Sequence, residues 1–318
     1  MSFSIMGTGR AHPKFILTND MLSTFLDTSD EWISTRTGIK SRFIATSETL
    51  CELAVKAGTM AMSQAGIAPN ELDLILCSTI QGDYQTPSLS CQVQYHIGAN
   101  CPAFDLNAAC SGFLYGLQTA AAFLDSGRAS CILLISAEMM SRHLDWTDRS
   151  TCVLFGDGAG AVVLKKGHGL KAIRLNAKGD EKGLLQIGVA PGNCPYTTVH
   201  PAPETLAMAG GEVFKFAVSS MCRDIRMVVE QAGLTIEQIN LVLPHQANMR
   251  IIRSAGERLG LREDQIISTI DHYGNTSSAS IPLMLSELDG EGKLHRGDYL
   301  VLSAFGGGLT SGACVIQY

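Results

Sequence analysis

The chain carries its apolar residues in short unbroken runs. Leu74 to Leu76, Cys131 to Ile135, Ala161 to Leu164, Leu241 to Leu243, Tyr299 to Leu302 and Ala313 to Ile316 each read as a strand covered on both faces. The runs come in two matching sets. Gln64-Ala65-Gly66-Ile67, ahead of Leu72 to Leu76, recurs as Gln231-Ala232-Gly233-Leu234, ahead of Ile239 to Leu243, a shift of 167 residues. At that shift Ser136-Ala137 falls on Ser303-Ala304. Next in order, Phe155-Gly156-Asp157-Gly158 and Phe305-Gly306-Gly307-Gly308 each lead into a closing apolar strand. Matches repeated in one order mark an internal duplication. Each half reads as amphipathic helix, buried strand, helix and two closing strands. Two such halves, residues 1–170 and 171–318, predict an α/β fold, a five-layered α/β/α/β/α sandwich with pseudo-twofold symmetry. The Gly/Pro-rich stretch from Gly179 to Pro203 reads as connecting loop and lid.

At 318 residues, 46% of them hydrophobic, the chain can bury a large core. A net charge of −6 and a pI near 5.7 argue against nucleic acid or an anionic membrane as the main partner. The uncharged segment Leu106 to Phe123 holds Asn107, Ser111, Gln118 and Thr119, so it reads as a buried helix rather than a membrane span. MSFSIMGTGR is not a secretory leader, and a cytoplasmic location is expected. None of the ten cysteines forms a C-x-x-C pair, so no metal site or redox pair is predicted.

Three polar residues stand where chemistry is possible. Cys110 lies just before an apolar helix running to about Leu124, where the helix dipole and free N–H groups are expected to lower its pKa. His245 ends the run Leu241 to Leu243 at the start of a helix, the edge of an α/β sheet where ligands gather. Asn275 opens the apolar segment Ile281 to Leu288 and by the repeat is nearly the counterpart of Cys110. The glycines 306–308 permit close backbone approach and can aim N–H groups at an oxyanion. Singly, each has an ordinary structural reading as a core thiol, a satisfied histidine, a helix cap or a tight turn.

Together, Ala109-Cys110-Ser111-Gly112-Phe113, Pro244-His245-Gln246-Ala247-Asn248, Gly274-Asn275-Thr276-Ser277 and Phe305-Gly306-Gly307-Gly308 resemble β-ketoacyl-acyl carrier protein synthase III of type II fatty-acid synthesis. Asp30-Glu31-Trp32 to Arg36-Thr37-Gly38-Ile39 and Met208-Ala209-Gly210-Gly211 extend the resemblance along the chain. It implies a thiolase-like fold and a two-stage reaction without a cofactor. Cys110 takes an acyl group from acyl-CoA, with Cys110 and Gly307 N–H groups holding the oxyanion. Malonyl-acyl carrier protein then loses CO₂, with His245 and Asn275 steadying the enolate that attacks the acyl-Cys. The implied CoA contacts are Thr28, Trp32, Arg36, Arg149, Phe214, Ala247 and Asn248. Thr28 and Glu31 read as a capping box that sets Trp32 and Arg36 on one helix face.

A helix from Ala247 to Leu259 divides into an apolar face (Ile251, Ile252, Ala255, Leu259) and a face bearing Arg250, Arg253 and Glu257. With Lys215 and Arg258 it offers the basic patch an acidic carrier protein needs, although Glu257 stands where the family commonly has a base. Met140, Phe155 and Leu206 are candidate acyl-pocket residues beside Thr86, which replaces the bulky aromatic of better-known members. The resemblance implies that the Thr86 loop is lent by a neighbouring subunit, hence a homodimer. Rival readings are a CoA-dependent condensing enzyme of specialised metabolism, a Cys-His-Asn thioester hydrolase, and a non-catalytic binding partner.

Overall fold

The computed structural model describes residues 2–189, 195–196 and 203–318. In chain order the first half holds β1 (Ser2–Ala11), β2 (Phe15–Thr18), α1 (Asn19–Leu22), α2 (Asp30–Thr37), β3 (Ser41–Ile44), α3 (Leu50–Ala65) and β4 (Leu74–Ser78). It continues with α4 (Leu89–Ile97), β5 (Ala103–Leu106), α5 (Gly112–Asp125), β6 (Cys131–Met139) and β7 (Asp157–Gly167). Then come β8 (Leu170–Ala177), β9 (Leu185–Gln186), β10 (Ala207–Met208), α6 (Gly210–Gln231), β11 (Leu241–Pro244) and α7 (Met249–Leu259). Last are α8 (Ile270–Tyr273), α9 (Ser280–Gly290), β12 (Tyr299–Gly306) and β13 (Thr310–Gln317).

The strands form two mixed sheets in the orders β1-β7-β6-β4-β5 and β11-β12-β13-β8, with β2-β3 and β9-β10 as separate ribbons. The pairing repeats. β6 runs parallel to β4 and antiparallel to β7, as β12 does to β11 and β13. Helices α3 and α4 cover the outer face of the first sheet, α6 and α7 that of the second, and α5 and α9 lie between them. Five layers result, and β4 and β6 are buried along their whole lengths, which is why their sequences run apolar without alternation. The reading missed β1 and β8, which edge the sheets outside the repeated runs, and the α4–β5 insertion. Of the stretch from Gly179 to Pro203, residues 190–194 and 197–202 lie outside the described residues, so the lid reading falls partly there.

Local signals explain the element ends. α3 starts on a capping box formed by Thr49 and Glu52 and stops at Gly66 in the left-handed region. At α2 the cap is Ser29, whose hydroxyl accepts the Trp32 N–H at 3.1 Å, and not the predicted Thr28. One residue earlier, Thr28 Oγ1 is left buried and unpartnered. Trp32 and Arg36 still share a face.

The β2–β3 ribbon is pinned by Arg42, which is fully buried. Its guanidinium donates to Leu17 O (3.3 Å), Asn19 Oδ1 (2.8 Å) and Val153 O (2.6 Å), so its partners are neutral oxygens. Burial pulls its pKa down to about 10, which leaves it charged at neutral pH. It ties the α1–α2 cap to the segment before β7 that walls the cavity described below. Arg42→Leu removes the donor and leaves three acceptors dry; urea unfolding is expected to show a loss on the order of 3 kcal/mol.

Candidate active site

Cys110 sits in a 3-10 turn, Ala109–Ser111, that feeds directly into α5. The matching turn of the second half, Ser277–Ala279, feeds α9. Among the described residues, the non-glycines with positive φ are Ala109 (47°) and Ser277 (50°), one at the head of each turn. Such a conformation costs an L-residue roughly 1–2 kcal/mol, and an identical device steadies both. Asn107 Oδ1 accepts the Ala109 N–H at 3.0 Å, and Asn275 Oδ1 accepts the Ser277 N–H at 2.9 Å. The counterpart of Asn275 is therefore Asn107, and that of Cys110 is Ser278, a shift of 168 that corrects the Cys110–Asn275 pairing expected above.

The two turns meet face to face, with Ser277 Oγ hydrogen-bonded to Cys110 Sγ at 3.3 Å. The end of β12 lies against them so closely that a Cβ on Gly306 would fall 2.7 Å from the Cys110 nitrogen, which only glycine permits. A cavity of about 1080 Å³ opens here, lined at its buried end by Cys110, His245, Asn275 and Phe305, with the half-buried Gly307 also in its wall. Because the Asn275 carbonyl oxygen is held by the Ser277 N–H, its amide NH₂ remains free to donate. His245 follows β11 with Nδ1 2.7 Å from Ser280 Oγ on α9 and its ring edge-on to Phe305. Ser280 Oγ also accepts the Gln246 N–H at 3.4 Å; with the Ser280 proton given to Nδ1, a neutral His245 carries its hydrogen on Nε2.

Burial sets the charges. It pushes the Cys110 thiol up to about 12, Ser277 pulling it back and Glu138 raising it further. This overturns the expectation of a lowered thiol: desolvation outweighs the helix start, and the resting residue is S–H. Burial also holds His245 near 3, so the imidazole is neutral. Glu138, at the end of β6, is fully buried yet bonded by Ser278 Oγ (2.6 Å), the Ile80 N–H (3.0 Å) and Thr79 Oγ1 (3.4 Å).

Of the other predicted residues, Trp32, Arg36, Phe214, Lys215, Ala247, Asn248 and Arg250 line the cavity toward its exposed rim, and Met140, Phe155 and Leu206 form an apolar wall. Thr28 and Arg149 do not line it. Arg149 lies over the Trp32 ring at 5.1 Å while also ion-pairing with Asp27, and Arg36 lies over the same ring at 4.7 Å. Arg253 and Arg258 are exposed on α7, away from the cavity, and Asn248 caps that helix by accepting the Arg250 N–H at 2.9 Å. Thr86 is exposed, outside this chain's own cavity. Sequence reasoning assigned no role to Glu138, Ser277 or Ser280. A charged residue ending a wholly apolar strand was the available signal for Glu138. Among the described residues no cluster of three or more His, Cys, Asp or Glu could hold a metal, and no helix is long and apolar enough to cross a membrane.

A buried thiol flanked by a neutral histidine and a free amide, inside a doubled α/β sandwich, defines a condensing acyltransferase of the thiolase fold. The family model for 3-oxoacyl-[acyl-carrier-protein (ACP)] synthase III matches residues 104–180, and that for its C-terminal part matches 229–318. Beta-ketoacyl-[acyl-carrier-protein] synthase III of Clostridium acetobutylicum is 45% identical over all of this chain and 99% of its own length, and that of Aquifex aeolicus 46% over all of both. The crystal structure of the Aquifex aeolicus VF5 protein superposes with a TM-score of 0.93, covering 99% of this chain and 100% of the other. The priming β-ketosynthase of the R1128 polyketide pathway, 35% identical, gives 0.92 over 99% and 96%. The chain belongs to the β-ketoacyl-[acyl-carrier-protein] synthase III family.

The His245 environment has a measurable signature. Between pH 6.5 and about 3 the unfolded chain holds a proton on this residue that the folded chain rejects, so stability falls on acidification, by up to about 1.4 kcal/mol per pH unit. His245→Gln is expected to flatten that part of the slope in urea titrations run from pH 7 to pH 5.

Proposed function

We propose that the chain condenses an acyl-CoA primer with malonyl-acyl carrier protein, releasing CoA and CO₂ and giving 3-oxoacyl-acyl carrier protein, the initiating step of fatty-acid synthesis. The observation that carries this reading is that a His245 ring anchored at Nδ1 by Ser280 and an Asn275 amide whose oxygen is held by Ser277 line the cavity beside Cys110, which leaves Nε2 and the amide NH₂ to act as donors. Cys110 Sγ attacks the acyl carbonyl, and the N–H groups of Cys110 and Gly307 hold the oxyanion. Loss of CO₂ from the malonyl thioester leaves an enolate, whose oxygen the two donors hold while its carbon attacks the acyl-Cys110 carbonyl. A hydrolase of the Cys-His-Asn kind needs its asparagine to orient its histidine. Here Asn275 is tied to Ser277 and His245 to Ser280, so that reading loses its support.

Trp32, Arg36 and Arg149 offer a stacking ring and two guanidinium groups for the nucleotide of CoA, while Phe214, Ala247 and Asn248 line the way in. Thr28 Oγ1, buried and unpartnered at the start of α2, has a hydrogen bond to give. Lys215, Arg250, Arg253 and Arg258 form the surface for an acidic carrier protein, with Arg250 and Lys215 at the rim and Glu257 exposed among them. These soluble substrates place the reaction in the cytoplasm, and the chemistry needs no further cofactor.

The homodimer reading rests on the edge of the first sheet. β5 ends the sheet with Phe104 exposed, an edge that invites pairing with a second copy. Asp105 of β5 accepts the Leu89 and Ser90 N–H groups, fixing the exposed 81–88 loop, with Tyr84 and Thr86, beside that edge and so toward the partner's cavity.

Two experiments test the reading. Mass spectrometry after incubation with acyl-CoA is expected to show one added acyl group that Cys110→Ala does not take up. His245→Ala and Asn275→Ala are expected to acylate but to lose on the order of 10²–10³ in condensation. Labelling of Cys110→Ala, or full turnover by both other variants, defeats the assignment. Thr86 should leave room for primers longer than acetyl, worth about 0.8 kcal/mol for each buried CH₂. Thr86→Phe is then expected to cut the use of such primers by roughly ten- to a hundredfold while sparing acetyl-CoA, read from initial rates across a primer panel.

A further inference from the structure

The oxyanion site proposed above is assembled from opposite halves of the chain, with Cys110 on the first half's turn and Gly307 between β12 and β13. Gly307 is the middle one of the glycines 306–308, a stretch with wide backbone freedom, and its N–H is bonded to none of the described residues. Its neighbours are pinned. Gly306 packs against the Cys110 nitrogen, the Asp180 N–H donates to Gly308 O at 2.9 Å, and Lys178 and Leu309 exchange backbone hydrogen bonds at 2.8 and 2.6 Å. The Gly307 carbonyl is held by a side chain. Thr310 Oγ1 donates to it at 3.1 Å, and no other donor to it is found among the described residues.

The same hydroxyl reaches the nucleophile turn. Thr310 Oγ1 lies 3.1 Å from Ser111 Oγ and 3.2 Å from Ala108 O, on the residues that bracket Ala109 and Cys110. One proton cannot serve all of these acceptors at once. Ala108 O already takes the Ser111 N–H at 3.1 Å, and Ser111 Oγ bears a proton of its own, so Gly307 O is the acceptor that depends on Thr310.

We propose that Thr310 is the positioning residue of the oxyanion site: its hydroxyl ties the Gly307 peptide to the Ala108–Ser111 turn, so that the Gly307 and Cys110 N–H groups converge on one oxygen. This deepens the functional reading above and rests on it for the identity of the acyl donor. Thr310 acts through Gly307. Without the hydroxyl the Gly307 carbonyl has no donor, its peptide is free to turn, and a displacement of the N–H by about 1 Å costs on the order of a hundredfold in rate. The loss is confined to reactions at a carbonyl. Attack of Cys110 Sγ on a thioester or ester builds an oxyanion, whereas displacement of iodide from the sp³ carbon of iodoacetamide builds none.

The test compares the reactions of Cys110 on the full chain with acetyl-CoA, with p-nitrophenyl acetate, which needs no CoA contacts, and with iodoacetamide. In each acylation the Sγ–acyl bond forms as the acyl bond to the leaving group breaks, and the thiol proton ends on that group, the CoA sulfur or the phenolate oxygen. Thr310→Val, which keeps the shape, is expected to lose roughly ten- to a hundredfold in both acylation rates, in kcat and not in KM, while alkylation stays within about threefold of wild type. Thr310→Ser restores the hydroxyl and is expected to acylate within about threefold of wild type. Thr310→Ala gives the same reading as the valine variant where that variant does not fold. Acylation by Thr310→Val or Thr310→Ala within about threefold of wild type overturns the proposal. So does an equal loss in acylation and alkylation, which marks general damage to the turn, or a Thr310→Ser variant as slow as Thr310→Val. A wild type that takes acetyl from p-nitrophenyl acetate on Cys110 but not from acetyl-CoA defeats the functional reading, and the ester reaction still decides the role of Thr310.

Discussion

The hydrogen bond between Ser277 and Cys110 is the contact on which the active site depends, because it exists only if both halves of the chain fold the same way and dock across the pseudo-twofold. Each turn is entered through a left-handed residue, Ala109 or Ser277, an uncommon conformation for a side chain larger than hydrogen. Each is held there by an asparagine two residues earlier. The sheets behind them supply rigidity: β4 and β6 are buried without a break, β12 is buried from Leu300 to Gly306, and α5 and α9 fill the layer between. Strain of this kind persists only where the surrounding packing over-determines it.

The duplication also shows how one site arises from two equivalent positions. Where the second half has His245 at the end of its strand, the first has Ser78; where the second has Ser280 to hold the imidazole, the first has Gly112. A Cβ on Gly112 would fall 1.9 Å from Ser78 Oγ, so the first half has no space for a Ser280 counterpart as packed. Glu138 in turn stands where the second half has Phe305. The first half thus contributes the nucleophile and a carboxyl, the second the hydrogen-bond donors and an aromatic wall. Separate halves can specialise because the shared backbone holds both turns in register.

The doubled sandwich was legible because burial on both faces writes strands as plain apolar runs, and the repeat fixed their order. Cys110, His245 and Asn275 were legible as strand-end or helix-start residues in motifs. Two things were not. Pairing Asn275 with Cys110 failed by three positions, because periodicity marks the helix that follows and not the left-handed residue that sets the turn. The direction of the thiol shift was missed because a helix start is visible in a sequence, whereas the loss of water around a side chain depends on what the other half brings to it. Ser29 took the cap from Thr28 for a related reason. Both are hydroxyl residues, and the choice was made by where the chain leaves β2 and α1.

Burial that keeps Cys110 protonated also governs the second stage of the reaction. An enolate oxygen formed in the dry end of the cavity meets two neutral donors whose orientations are fixed before it appears, so little reorganisation is needed as charge develops. A charged imidazole would hold the enolate more tightly but would make it a weaker nucleophile toward the acyl-Cys110 carbonyl. It would also pay the full desolvation of an ion in a site that already excludes water. Neutral His245 and the Asn275 amide avoid both effects. The consequence is a division between the halves of the duplicated chain: the first supplies the nucleophile, and the second supplies both groups that face the enolate.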